Sequence, residues 1–395
     1  MNTENLFSER INNLPPYVFV EIDKIRTQEL KKGRKIISLS IGDPDMPAPD
    51  FVIDRLIRAV KKESTHKYPS YWGMIEFRKA VADWYENRFS VKLNPESEVL
   101  TLIGSKEGLA HIPLAFINPG DSALIPDPSY PVYGIGTMFA MGNCLKFSLK
   151  EENGFLPDFK ELEFLVTTAA AKGSNTKLLF LNYPNNPTAG TATVAFFSEI
   201  VAFAKKHNII VCHDNAYSEV YYDGKKQPSF LQAPGAIDVG CEFHSLSKTF
   251  NMAGWRVGFV VGNSKVIHAL AQIKTNIDSG VFNACQEAGI EALERYDEFA
   301  ETLRIKYQER RDLLVPAIQQ AGLACSPPAA TFYIWAKIPK QKTSEEVVLE
   351  LIRKKGIVAL PGSGFGSHGE GFVRFALCSE LKVLKQVAEL LKGSV

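Results

Sequence analysis

The sequence has no excess of either charge: 45 Lys and Arg stand against 44 Asp and Glu in 395 residues. Such a chain has no global field to draw nucleic acid or an anionic membrane surface, so neither partner is expected. No apolar run approaches the roughly 20 residues that a bilayer-crossing helix needs. Cysteine is sparse. Cys144, Cys212, Cys241, Cys285, Cys325 and Cys378 are scattered, with no C-x-x-C pair and no metal-ligand spacing. They are expected to be reduced, mostly buried small apolar residues, and no bound metal is expected. The start, Met1-Asn2-Thr3-Glu4-Asn5, has neither a basic cluster nor an apolar core. No signal peptide is therefore expected, and the protein is expected to be cytoplasmic. Internal repeats and low-complexity tracts are also missing. What remains has the balance of a soluble globular protein, long enough for roughly two or three domains.

Short apolar runs alternate with helical patterns through the middle of the chain. Val99–Ile103, Ala123–Ile125, Lys177–Leu181, Ile209–Cys212, Glu242–His244 and Val257–Val261 read as strands. Helices are predicted from near Ser105, from Tyr130 and over Val194–Lys206. Continuous apolar strands joined by helices imply an α/β fold with a largely parallel sheet covered on both faces. Ligands of such sheets gather at the carboxyl ends of the strands. Gly104, Asn186, Asp214 and Lys248 all follow predicted strands, so they would converge there. After about residue 283 the pattern changes to long helices, charged over Glu287–Gln320, and then to strands at Phe332–Trp335 and Phe372–Ala376. That is a smaller α+β domain, and the helix around Phe19–Lys32 is expected to pack with it. The expected divisions are an N-terminal arm with part of the small domain (1–48), a large domain (49–282) and a small C-terminal domain (283–395).

Ser245-Leu246-Ser247-Lys248, with Arg256 in Ala253-Gly254-Trp255-Arg256-Val257-Gly258, is the most informative stretch. A lysine among small hydroxyl residues suits an amine that forms a Schiff base with a carbonyl cofactor. Burial near cations lowers its pKa, and the hydroxyls and guanidinium would hold a phosphate. Pyridoxal 5′-phosphate has both an aldehyde and a phosphate. A surface lysine after a buried strand is the competing reading of this stretch taken alone. Gly104–Gly108 opens a helix after a strand, so free N–H groups and the Ser105 hydroxyl favour a phosphate, although small residues commonly begin helices. Tyr130, in Asp127-Pro128-Ser129-Tyr130-Pro131, would stack on a flat ring or pack the core. Asn186, in a stretch stiffened by Pro184 and Pro187, would meet a ring oxygen or belong to a rigid loop. Asp214 ends an apolar run and would hold a protonated pyridine nitrogen, with Tyr217 on the ring oxygen. A helix cap is the alternative for Asp214. His213 reads as packing or as support for Asp214. Arg374, inside the apolar run Phe372–Leu377, needs an anion: a substrate carboxylate held by two hydrogen bonds, or a structural ion pair. The glycine-rich Pro361–Gly366 would close over substrate or be a plain turn, and it lacks the helix of a dinucleotide fingerprint.

Together, and in order along nearly the whole chain, these motifs resemble the class I aminotransferases, the pyridoxal-phosphate enzymes of fold type I. The resemblance implies that Lys248 attaches the cofactor, with Asp214 and Tyr217 also catalytic. It implies Ser105, Lys106, Ser245, Ser247 and Arg256 around the phosphate, and Asn186, Asp214, Tyr217 and Tyr130 around the ring. Tyr68, in Lys67-Tyr68-Pro69-Ser70-Tyr71-Trp72-Gly73, would reach the neighbouring subunit's phosphate, and Asn283 would likewise serve the partner's site. Arg374 would bind the substrate α-carboxylate beside Gly42 of Ile41-Gly42-Asp43-Pro44-Asp45, with Tyr130 and Asn186 also against substrate. A homodimer with shared active sites, acting on small amino acids and 2-oxo acids, follows from the family. One departure is visible: Ala189 intervenes in Asn186-Pro187-Thr188-Ala189-Gly190, where the family often reads Asn-Pro-Thr-Gly, so the loop after Asn186 would turn differently. Within the family, Leu14–Phe19, Asn182–Asn186, Glu242–Ser245 and Asn276–Phe282 look most like the LL-diaminopimelate aminotransferases of bacteria. There Tyr17 and Lys106 would contact substrate. Alanine-type enzymes share Ile103–His111 and Asn251–Arg256, so an alanine or aspartate aminotransferase stays open, as does a β-eliminating lyase on the same fold. A non-catalytic sensor module would carry an added DNA-binding domain, and Tyr17 to Val395 is taken up by the enzyme-like core.

Overall fold

The computed structural model describes residues 6–14 and 18–393. Its centre is a seven-stranded sheet. The strands are β1 (Val99–Leu102), β2 (Ser122–Asp127), β3 (Asn143–Ser148), β4 (Thr176–Asn182), β5 (Ile210–Asp214), β6 (Gly240–Ser245) and β7 (Gly258–Gly262). They lie in the order β1-β7-β6-β5-β4-β2-β3. Only β7 runs against the others, pairing antiparallel with β1 and β6, while the remaining neighbours are parallel.

Strand alternation decides which side chain meets which layer. Leu178 and Phe180 of β4 join the face covered by helices Ser105–Phe116, Val132–Phe139 and Ser264–Thr275. Leu179 and Leu181 join the other face, with Phe77, Trp84, Phe197 and Val201 from helices Ile75–Phe89 and Val194–His207. Because both faces are covered, the strands read as unbroken apolar runs. Each such buried side chain contributes about 1.5–3 kcal/mol relative to exposure.

The smaller sheet pairs β8 (Tyr333–Lys337) antiparallel with β9 (Phe372–Ala376), and Leu360–Pro361 flanks β9 on its other side. Arg374 lies opposite Trp335 in this register. Ile37–Ser38 pairs in parallel with Ile357–Val358, which ties the segment after the N-terminal helix to this region. That helix, Val18–Lys31, buries Ile22 in the same core as Tyr333 and Val373. The change of pattern near 283 predicts a boundary there. By apolar packing, helix Asn283–Glu294 lies against the large body, where Ala288 and Ala292 share the core of Phe77. The core changes within helix Tyr296–Gln320, between Ala300 and Leu303. The helix predicted from Tyr130 begins at Val132, because Pro131 stands at its cap with φ −59°.

Candidate active site

The carboxyl ends of β1, β4, β5 and β6 open into one cavity of about 420 Å³. β1 runs into Gly104, at φ +79°, and then into helix Ser105–Phe116. A Cβ on Gly104 would stand 2.3 Å from Arg256 Nη2, so only glycine lets that guanidinium lie over the helix start. Arg256 donates to the Ala253 carbonyl at 2.8 Å and the Ile103 carbonyl at 3.2 Å. β6 delivers Ser245, whose Oγ accepts from the Ser247 amide at 3.2 Å and caps the short helix that bears Lys248. Ser105, Lys106, Ser245, Ser247 and Arg256 all line the cavity. This end is a cluster of N–H, hydroxyl and cationic donors suited to a phosphate.

Asp214 closes β5, and Tyr133 donates to its Oδ2 at 2.8 Å. Oδ1 is buried, with no hydrogen-bond partner among the described residues. Burial pushes the Asp214 carboxyl up, against the opposing Tyr133 hydrogen bond. Tyr217 and Tyr333 share a hydroxyl–hydroxyl bond of 3.1 Å, and burial raises both. Lys248 Nζ donates to the Gly42 carbonyl at 2.8 Å. Burial holds the Lys248 amine below its ordinary value; Cys378 and Asp43 oppose that, while Arg256 and Arg374 add to it.

Arg374 is 2% exposed and forms no ion pair among the described residues. Its Nη1 donates to Asn186 Oδ1 at 2.6 Å and its Nη2 to the Ser40 carbonyl at 2.7 Å, while Nε is buried without a partner. The guanidinium carbon lies 4.1 Å from the Tyr333 ring centre and 4.7 Å from that of Phe365. A buried guanidinium held by neutral acceptors and aromatic faces is set to take an incoming carboxylate.

Of the residues singled out in the sequence, Gly42, Ser105, Lys106, Tyr130, Asn186, Asp214, Tyr217, Ser245, Ser247, Lys248, Arg256 and Arg374 meet in this cavity. Tyr68 and Asn283 do not. Tyr68 is 88% exposed, and Asn283 Nδ2 donates to the neighbouring Lys67 carbonyl at 3.1 Å, so the two share an outer surface patch. Tyr17 lies outside the described residues. Tyr133, Tyr333, Phe365, Ser40 and Ile41 are functional neighbours that the sequence did not reveal. An aromatic within an apolar run reads as core, and nothing local marks which hydroxyl turns to a distant carboxylate. The Pro361–Gly366 stretch forms a 3₁₀ turn over Gly362–Phe365 that brings Phe365 to Arg374. His213, beside Asp214 in β5, bonds elsewhere: its Nε2 accepts the Tyr183 amide at 3.2 Å, so Nδ1 donates to Glu242 at 2.8 Å.

A lysine of depressed basicity, a buried carboxylate and a buried guanidinium around one donor-rich cleft define a group-transfer site for anionic small molecules. Residues 34–391 match the family described as aminotransferase class I and II, and the chain belongs to that family. It is an aminotransferase, acting on amino acids and 2-oxo acids. The chain is 49% identical to the LL-diaminopimelate aminotransferase of Aquifex aeolicus (strain VF5) over 387 residues, 98% of each chain. It is 51% identical to the LL-diaminopimelate aminotransferase of Halothermothrix orenii, again over 98% of both. Among solved structures, substrate-bound BacF from Bacillus subtilis superposes with a TM-score of 0.91 at 36% identity, covering 98% of this chain and 97% of that one. No helix among the described residues is long and apolar enough to cross a membrane.

Proposed function

We propose that the cavity binds pyridoxal 5′-phosphate and that the protein is an LL-diaminopimelate:2-oxoglutarate aminotransferase. It would make LL-diaminopimelate from tetrahydrodipicolinate, with glutamate as amino donor, in the cytoplasm. One observation carries the chemistry: Asp214 and Arg374, both buried and neither ion-paired among the described residues, line the same cavity as Lys248. The residues fit the cofactor. Asp214 Oδ1 is an acceptor in want of a donor, which a protonated ring nitrogen supplies, and the helix start at Ser105 with Arg256 suits a dianionic phosphate. The named relatives, about half identical over nearly their whole length, support the choice of substrate.

When bound, the cofactor supplies the carbonyl that takes up the amino group and a ring that draws electrons from the substrate Cα. Everything else falls to this chain. Ser105, Lys106, Ser245, Ser247 and Arg256 would hold the phosphate. Asp214 would keep a proton on the ring nitrogen, and Tyr217, Asn186 and Tyr130 would hold the ring. Lys248 Nζ is the amine that would hold the cofactor's carbonyl carbon at rest and would take the proton from the substrate Cα; its lowered basicity keeps a neutral amine available. Arg374 would hold the α-carboxylate beside Gly42, with Lys106 toward the rest of the substrate. Tyr68 and Asn283 would serve the partner site of a homodimer. Their shared outer patch, which includes half-exposed Tyr71, Ile277 and Phe282, supports that assembly.

An absorbance titration of the cofactor-loaded protein tests the proposal. LL-Diaminopimelate, L-glutamate, L-alanine and L-aspartate are each added alone while the cofactor's carbonyl form is followed. Conversion with LL-diaminopimelate and glutamate, and little with the others, is expected. Conversion by alanine but not by LL-diaminopimelate would overturn the substrate, and no conversion by any of the four would overturn the cofactor chemistry.

A further inference from the structure

We infer that Arg310 is a positioning residue: through its ion pair with Asp45 it holds the cavity wall Ser40–Gly42 against Arg374 and Lys248, and so governs how tightly carboxylate substrates bind. The inference rests on the reading of Arg374 as the substrate-carboxylate site.

From Leu39 to Pro49 the chain has no regular secondary structure, yet it makes one side of the cavity through Ile41 and Gly42. Its near end is tied to the small domain by two backbone bonds of 2.8 Å, from Leu39 N to the Val358 carbonyl and from Ala376 N to the Leu39 carbonyl. The next residues hold two of the site's basic side chains: the Ser40 carbonyl accepts from Arg374 at 2.7 Å and the Gly42 carbonyl from Lys248 at 2.8 Å. Gly42 runs so close beneath Tyr333 that a Cβ would stand 2.0 Å from its hydroxyl. A segment with no helix or sheet ladder holds such a course only if its far end is fastened too.

Arg310 is the fastening nearest the wall; further on, the Pro47 carbonyl accepts from Asn251 Nδ2 at 3.2 Å. Arg310 Nη1 and Nη2 donate to Asp45 Oδ1 and Oδ2 at 2.7 and 2.9 Å, and Nη1 also reaches the Leu377 carbonyl at 3.0 Å. The Arg310 side chain is 7% exposed and that of Asp45 18%, so the pair is sheltered from the screening that weakens surface pairs. Both teeth of the fork are used, which fixes orientation as well as distance. Arg310 sits on helix Tyr296–Gln320, beyond the point where that helix enters the small-domain core. The pair ties the wall to the same body as Arg374, and the wall meets Lys248 of the large body through the Gly42 carbonyl; beyond Asp45 the segment joins the large body, where Ala48 is buried. Arg310 itself does not line the cavity.

The test compares Arg310→Met, Asp45→Asn and the double variant with the unaltered enzyme, with Arg374→Ala run alongside. Steady-state kinetics with glutamate are paired with a fluorescence titration of pyridoxal phosphate into the apo-protein. Each single variant is expected to raise KM for glutamate roughly ten-fold, the scale of one sheltered bidentate pair, with kcat within about three-fold. Cofactor affinity is expected to stay the same. The double variant should be no worse than either single one, because both remove the same pair. Arg310→Lys, which keeps the charge but loses the fork, should recover part of the KM. An unchanged KM, additive singles, or a joint loss of kcat and cofactor affinity would overturn the inference. Should Arg310→Met fail to fold, Asp45→Asn decides alone, since it alters a single partly exposed carboxylate. An Arg374→Ala enzyme with unchanged KM would instead overturn the reading of Arg374, whatever Arg310 does.

Discussion

Tyr133 donates its hydroxyl proton to Asp214 Oδ2 at 2.8 Å, while the other oxygen of that carboxylate has no hydrogen-bond partner among the described residues. The tyrosine is wholly buried and also stacks on Phe180, at 5.2 Å between ring centres, so its position is set by the sheet face beneath it. Burial alone would drive Asp214 toward its neutral form, and the Tyr133 bond is the foremost influence against that. Removing it with Tyr133→Phe raises the Asp214 pKa further, so the carboxylate is lost at a higher pH as the solution is acidified. Pyridoxal-phosphate affinity should weaken by up to roughly ten-fold at neutral pH, the size of one charge-assisted hydrogen bond. It should also fall off at higher pH than in the unaltered protein. Cofactor titrations across pH check this, and superimposable curves would refute it.

Asp43 favours the protonated form of Lys248. Asp43→Asn removes that negative charge, lowers the Lys248 pKa and makes the neutral amine available in more acidic solution. The rising limb of the pH–kcat profile should therefore move to lower pH, with the cofactor still bound. A limb that stays in place or moves to higher pH would show that Asp43 does not act on the lysine.

Gly42→Ala should cost about 1–3 kcal/mol of stability, because the new methyl would overlap the Tyr333 hydroxyl and push it from its bond with Tyr217. Thermal melting reads the first effect. A raised KM for glutamate reads the second, since Tyr333 also lies under Arg374.

Glu242 is fully buried and accepts from Tyr85, His213, Asn215, Ser229, His244 and the Phe230 amide. Burial works against its charge, but the hydrogen bonds of His213 and His244 outweigh it and hold the carboxyl well below its ordinary 4.5. A depressed pKa in the folded state contributes stability above the unfolded value and loses it as pH falls through the folded one. Glu242→Ala should remove about 3 kcal/mol or more at neutral pH by leaving buried donors unpaired. Denaturant midpoints should also fall less steeply in acid than those of the unaltered protein.

Strand positions and the loops that end them were legible because their signal is local. Unbroken apolar runs mark strands buried on both faces, and the small or polar residue that follows each run marks its carboxyl end. Lys248, Asp214, Asn186 and Arg374 could thus be placed before any contact was known, since each is a polar or charged residue within or shortly after an apolar run. Tyr130 and Tyr133 illustrate the limit. Both are tyrosines on one short stretch, and only the packing on Phe180 turns the second toward Asp214. Tyr333 reads as one more core aromatic until the register of β8 against β9 sets it beside Arg374.

The chain alone carries its α/β order, the lysine after β6 and the arginine within β9, because strand period, chain order and residue chemistry are properties of short stretches. Folding adds the pairings between stretches far apart in sequence: Asp45 with Arg310, Ser40 with Arg374, Gly42 with Lys248. It also turns Tyr68 and Asn283 outward together, away from the cavity of their own chain. Such pairings depend on where two helices and two sheets pack, which no local run of residues encodes.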